Sequence, residues 1–254
     1  LTARAARPGE DGARPREEDG VTEAGVRTDE ARRLLDGPAA AAGGRKVRLF
    51  ALACVRRVLA LAGAAASREA VETAARFAEG RADSYELHAA DAAALDACFL
   101  IDAAGLGPKG ADPARTAAAR AKYAAARAVA AAVKAQHCGR PACAASHAAY
   151  YAAWAADEAG RADERAEQAR LFRDIFGGAR RPAAPQAAWL RWNDGCVERM
   201  ARHIYDEERF ADLPILADAL EDAGCDDPDV LGHCRAGGAH ARGCWVLDLL
   251  LGKE

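Results

Sequence analysis

LPILADALEDAGCDDPDVLGHCRAGGAHARGCWVLDLLLGKE, residues 213 to 254, decides the fold class. Pro214 suits the first turn of a helix, where its missing N–H costs nothing. Ile215, Leu216, Ala219 and Leu220 follow at helical spacing, with Asp218, Glu221 and Asp222 between them. Gly224 fits the left-handed residue that ends many helices. Asp227 and Pro228 form a second start, an N-cap followed by proline at the first helical position, with Asp229 near the positive end of the helix dipole. That helix is short and stops near Cys234. Arg235 to Gly243 contains three glycines and reads as a loop. Cys244 to Leu251 is apolar enough for a buried terminal helix, with Trp245, Leu249 and Leu250 inward and Asp248 outward.

The same signals recur upstream. Asp29 to Leu35 predicts a short helix ended by Gly37 and Pro38. Lys46 to Ala62 predicts one amphipathic helix with Val47, Phe50, Ala51, Cys54, Val58 and Leu61 on its buried stripe. Ser67 is placed as the cap of Arg68 to Glu79, and Asp83 with Glu86 as a capping box opening a helix to about Ala104. Asp112 to about Gln136, and Ala142 to Phe176, predict two long alanine-rich helices around a break at Gly139-Arg140-Pro141. A short break between long helices returns the chain antiparallel to itself. The pairs Asp157–Arg161 and Arg170–Asp174 are placed on its solvent side. Asn193-Asp194-Gly195 is a turn before a helix from Cys196 to about Glu207, with Val197, Met200, Ala201 and Ile204 inward. No segment alternates like a strand. The expectation is an all-α multi-helix bundle with a long alanine-rich antiparallel hairpin and a compact C-terminal helical unit. It divides into a disordered segment 1–20, an N-terminal helical part 21–110, the hairpin 111–177 and the C-terminal unit 185–254. Val21 is placed as the initiator.

The 213–254 stretch resembles the C-terminal signature of an uncharacterised family expanded in planctomycete bacteria, which reads LADALEEAGC, then HCR, then HVRGCWVVDLLLGKE. Three further segments are similar to it: Arg45 to Phe50, Leu171 to Gly177, and Trp189 to Gly195. Two features depart from it. Only Cys54 stands where the family has a cysteine cluster, and Gly178-Ala179-Arg180-Arg181-Pro182 replaces its NPFRP. The resemblance implies the same helical architecture and brings with it no activity, cofactor or catalytic residue.

Composition narrows the function classes. Hydrophobic residues are 51% of the chain but aromatics only 6%, so the core relies on close helix contact through alanine. The net charge of −3 argues against a globally basic nucleic-acid binder. Arginine outnumbers lysine 30 to 5, which reads as codon bias in a GC-rich genome. No apolar run reaches membrane-spanning length, and the expected location is cytoplasmic. Eight cysteines in such a chain suggest free thiols or metal ligands before disulfides.

Several residue groups are candidates for chemistry. Cys225, His233, Cys234, His240 and Cys244 are of the types that make a tetrahedral zinc site. Their spacing fits no common finger, so the expectation is that the three sulfurs line the core apart from one another. His137, Cys138, Cys143 and His147 form a second group near the hairpin break. Arg242 and Gly243, at the start of the last helix, offer an anion site. Arg120, Arg127 and Lys134 recur every seven residues as a basic face that could bind phosphates; the favoured reading is a solvated face or one that meets acids elsewhere, for which the ten acids between Asp206 and Val230 are available. Among those acids, Asp218, Glu221, Asp222, Asp226, Asp227 and Asp229 are the candidate surface for a protein partner. Gly105-Leu106-Gly107-Pro108-Lys109-Gly110 matches the dinucleotide fingerprint literally, but a helix and not a strand precedes it, so it reads as a loop. Serines and threonines are few, none in a nucleophile elbow, and His203 with Asp206 and Glu207 reads as a surface helix end. The leading reading is a non-catalytic helical scaffold or protein-interaction module. The alternative is a small zinc protein using the C-terminal cysteines and histidines, and an enzyme stands third.

Overall fold

The computed structural model describes residues 35, 44–103, 113–177, 184–238 and 240–253. The segment 1–20, all of the expected helix Asp29 to Leu35 except Leu35, and Gly105 to Gly110 lie outside these. The described residues form helices and no strand: α1 Gly44–Arg56, α2 Leu59–Ala62, α3 Ala65–Ala78, α4 Ser84–Ala103, α5 Pro113–Lys134, α6 Pro141–Glu158, α7 Glu164–Phe176, α8 Ala187–Arg191, α9 Cys196–Asp206, α10 Leu213–Asp222, α11 Pro228–Arg235 and α12 Trp245–Leu251. The fold is all-α.

α1 is the axis of the larger half. It is buried nearly all round, Leu49, Leu52 and Val55 included, rather than along one stripe. A helix apolar on every side belongs in the middle of a core, and α3, α5, α6 and α7 pack around it. The chain leaves helical geometry at Val58, so the predicted single helix over 46–62 is two. α3 begins two residues before Ser67, which lies inside the helix, buried, and caps nothing. The capping box before α4 does form: the Asp83 amide donates to Glu86 Oε2 at 3.0 Å and the Glu86 amide to Asp83 Oδ1 at 2.8 Å.

The alanine-rich hairpin is α5 against α6. Arg120 meets Glu158, Tyr123 meets Trp154 and Arg127 meets Tyr151, so positions rise along one helix as they fall along the other and the pair is antiparallel. Between them lie fully buried alanines such as Ala124, Ala128, Ala148 and Ala152. The second arm is shorter than expected. Gly160, at φ 73°, ends α6, and α7 sets off in a new direction. Asp157 therefore pairs with Arg165 and not Arg161, which donates instead to the Arg57 carbonyl.

The N-terminal part and the hairpin share one hydrophobic core, from Leu35 to Phe176. The expected boundary at 110 does not separate two cores. Residues 189–250 have their own, built on Trp189, Ile204, Tyr205, Leu213, Leu216, Leu220 and Trp245. Its buried α10 stripe is Leu213, Leu216, Ala217 and Leu220, and Ile215 is exposed. Asp227 caps α11 as expected, accepting from the Asp229 and Val230 amides.

The two cores meet along a narrow seam. Gly177, at φ 71°, passes so close to Trp245 that a Cβ there would lie 3.1 Å from the indole. Gly243, at φ 93°, passes Leu49 in the same way, at 3.0 Å. Asp248, expected to face solvent, is only 2% exposed. It accepts from Arg45 Nη1 at 2.9 Å and lies 3.4 Å from Lys46 Nζ. Arg45 also reaches Glu79 and the Tyr205 hydroxyl, and Tyr205 donates to Glu79 at 2.7 Å.

Candidate metal centre

The seam gathers a second buried polar group. Asp174 lies in the last turn of α7, on the face that buries Leu171 and Ile175. His233 comes from α11, and His240 and Cys244 from the loop that ends at α12. One donor atom from each of the four lies within 4.8 Å of all the others. Asp174 and Cys244 are 3% and 0% exposed, and both histidine side chains are mostly covered.

His240 Nδ1 is 2.7 Å from Asp174 Oδ1, and its Nε2 is 3.2 Å from the Ala236 carbonyl. Carboxylate and carbonyl only accept, so both ring nitrogens carry protons in this geometry. Burial opposes that imidazolium, but the Asp174 hydrogen bond and charge outweigh it and raise the His240 pKa. Burial likewise works against the Asp174 carboxylate, yet the two histidines hold its pKa below the usual value. Its other oxygen accepts from the Ala241 amide at 2.9 Å. His233 Nε2 is 3.1 Å from Asp174 Oδ1 and 3.2 Å from Cys244 Sγ, while the ring lies tilted against Trp245 with centroids 5.2 Å apart. Burial drives the Cys244 thiol well above its ordinary range, although the Leu247 and Val246 amides favour the thiolate.

This arrangement does not suit thiol catalysis. A Cys–His–Asp relay uses opposite nitrogens of the imidazole, one for the thiol and one for the carboxylate. Here one nitrogen of His233 faces both, and a reactive cysteine needs a depressed pKa and an approach from solvent. Ligand chemistry fits better. Two imidazoles, a carboxylate and a thiolate are a zinc-type donor set, and four protein donors describe a closed, structural site. A cavity of about 330 Å³, lined by Leu49, Leu171 and His240, lies on the His240 side of the group.

Of the five residues expected as zinc ligands, His233, His240 and Cys244 come together. Cys225 and Cys234 stay outside the group as buried core side chains, the Cys234 thiol pushed up to about 12 by burial. Asp174 was not among the expected ligands. Its spacing pairs it with Arg170 on the solvent side, whereas Arg170 pairs with Glu167. The signal that marks Asp174 is its phase, three residues after Leu171 on an apolar turn.

The other candidates have different neighbours. Arg242 donates to Glu208 at 2.7 Å and to the Asp206 carbonyl at 3.0 Å, and stacks over Tyr205, so its guanidinium is already engaged. With Leu49 against Gly243, that stretch is a packed joint and not an anion cradle. His137 faces Asp91 and the ring of His88, not Cys143 or His147. His203 lies beside Arg209. The basic face meets Glu158, Tyr151 and Asp91 rather than the C-terminal acids. Asp218, Glu221, Asp222, Asp226 and Asp229 are exposed, with Arg235 reaching Asp218 and Glu221. No described helix is long and apolar enough to cross a membrane. No protein family, curated protein or solved structure matches the chain in comparison.

Proposed function

We propose that the protein is a non-catalytic helical module whose C-terminal unit is locked to the larger core by one divalent ion, zinc by its donor set, held by Asp174, His233, His240 and Cys244. The observation that carries the reading is the convergence of four ligand-type atoms within 4.8 Å from α7, α11 and the last loop. Charge supports it. With a protonated His240, an ionised Asp174 and a neutral thiol, the group is neutral overall. Exchanging the His240 Nδ1 proton and the Cys244 thiol proton for one divalent ion, with the single His233 proton moved from Nε2 to Nδ1 so that Nε2 can bind, keeps it neutral. His240 Nε2 then still donates to the Ala236 carbonyl, the kind of outer contact that fixes a ligand histidine. Two contacts, at 2.7 and 3.1 Å, are shorter than the roughly 3.3 Å between oxygen and nitrogen ligands of tetrahedral zinc, so the cage opens slightly on binding. All eight cysteines are unpaired, which supports a reducing, cytoplasmic setting. A macromolecular partner, a protein, fits the exposed acids of α10 and α11 and extends the same reading.

Elemental analysis of the purified chain tests the proposal. About one zinc per chain is expected, with about two protons released per ion on reloading. Cobalt in its place gives tetrahedral d–d bands and a sulfur charge-transfer band that disappears in Cys244→Ser. A second reading, favoured by the 2.7 Å contact, is that the His240–Asp174 pair is itself the latch. Absence of bound zinc, with a thermal midpoint that chelator does not change, would select it.

A further inference from the structure

Four of the five large apolar side chains that stand exposed among the described residues lie on α4: Tyr85 at 83%, Phe99 at 71%, Leu100 at 69% and Leu95 at 54%. Large exposed apolar faces on soluble proteins mark interaction sites. The order of residues along this face says what covers it. Tyr85, Ala92 and Phe99 are seven apart and share one side of the helix. Ala92 lies midway between the two rings. His88 and Asp96 lie four residues before and after it, and both are exposed. Reversal of the helix about Ala92 therefore exchanges ring with ring and base with acid.

We infer that this face of α4 is a self-complementary surface through which two copies of the chain pair, antiparallel, on a two-fold axis at Ala92. Ala92 then meets its own copy, and two small side chains let the helices come to about 8 Å, the close end of helix packing. At that spacing Tyr85 of one copy covers Phe99 of the other at both ends. His88 stands at the height of the second copy's Asp96, across the seam, twice. The His88 Nδ1 faces the Ser84 carbonyl at 2.5 Å and its ring rests 5.1 Å from that of His137, which places the exposed imidazole at the edge of the face. A two-fold interface must be self-complementary in this sense, and a stripe that merely faced solvent has no reason to be symmetric in ring, polar group and small residue together. The surface is independent of the metal centre, which uses α7, α11 and the last loop.

Sedimentation velocity on the full chain across micromolar concentrations is the test. A concentration-dependent dimer is expected. Ala92→Arg puts two guanidinium groups on the axis and is expected to leave monomer. His88→Asp sets acid against acid at both contacts and is expected to weaken the dimer by about tenfold or more. The double swap His88→Asp with Asp96→His restores it. Mild oxidation is expected to cross-link Ala92→Cys but not Tyr85→Cys, whose copies lie about 21 Å apart along the axis at 1.5 Å per residue. Circular dichroism on each variant confirms that these exposed changes leave the helices intact. A wild-type monomer at every concentration overturns the inference and assigns the face to another segment of the chain or a foreign partner. A dimer indifferent to Ala92→Arg, or a double swap that fails to rescue, overturns it as well.

Discussion

Replacing Asp248 by asparagine keeps the shape of the side chain and removes one buried charge. Asp248 is 2% exposed and takes Arg45 Nη1 at 2.9 Å and Nη2 at 3.4 Å, with Lys46 Nζ at 3.4 Å. Lys46 is itself buried and donates to the Ile175 carbonyl at 2.9 Å. In Asp248→Asn, Glu79 still faces Arg45 and Lys253 at the seam, and the amide offers one acceptor where the carboxylate offered two. Removing one partner of a buried ion pair costs about 3–5 kcal/mol, because the cations left behind lose a counter-ion where water cannot take its place. For a domain of this size that lowers the thermal midpoint by roughly 6–20 °C. Urea unfolding at neutral pH measures it, with Lys46→Met as the second arm. Since Lys46 is the cation with least access to water, Asp248→Asn with Lys46→Met is expected to be more stable than Asp248→Asn alone. A loss below about 1 kcal/mol, in the range of surface pairs, would refute the reasoning, as would a double variant whose losses simply add.

Three further outcomes follow from the same geometry. Burial works against the Glu79 carboxylate, but hydrogen bonds from Tyr205 and Lys253 and the Arg45 charge bring its pKa down to about 2. A depressed folded-state pKa contributes stability that is complete above about pH 4.5 and is lost as pH falls towards 2, here roughly 2–3 kcal/mol, and acid titration of Glu79→Gln beside the wild type is expected to lack that step. Gly177→Ala places a Cβ 3.1 Å from Trp245 on a backbone at φ 71° and is expected to cost about 1–3 kcal/mol, readable in the thermal midpoint and in Trp245 fluorescence. Ala128→Leu overpacks the fully buried face of the hairpin and is expected to cost about 1–3 kcal/mol by urea titration, whereas the same change at the exposed Ala92 is expected to cost almost nothing in monomer stability.

The helices were legible because their punctuation is local. Asp83 with Glu86, Asp227 with Pro228, and Gly224 act within a few residues of themselves, and the structure uses each where it stands. The ends that were misplaced depend on distant packing. Nothing near Val58 marks a break. Gly160 is an ordinary helix glycine until α7 has to turn back onto α1. Ile215 and Leu213 compete for the same stripe, and only the neighbouring helices choose Leu213. The candidate site was half legible for a related reason. His233, His240 and Cys244 are rare residue types and drew notice. Asp174 and Asp248 are common ones on helices, where a charge usually marks the wet side. Each sits in phase with buried neighbours, Leu171 and Ile175 for the first, Cys244 and Trp245 for the second, and that phase was the signal to weigh.

Those two acids explain why the seam is polar at all. Two glycines along it, Gly177 and Gly243, bring the backbone of each unit against a side chain of the other. Hydrophobic contact is non-directional and would hold the C-terminal unit in many orientations. Asp174 and Asp248 hold it in one, because each needs specific cations or donors at fixed distances and is costly to leave unpaired. Asp248 finds its partners in α1, on the side of the larger core. Asp174 finds them in α11 and the last loop, on the side of the smaller core. Each acid therefore belongs to one unit and is neutralised by the other, so neither unit alone can satisfy its own buried charge. Docking is then a requirement of charge balance as much as of packing, and an ion at the second acid tightens a joint that the first already orients.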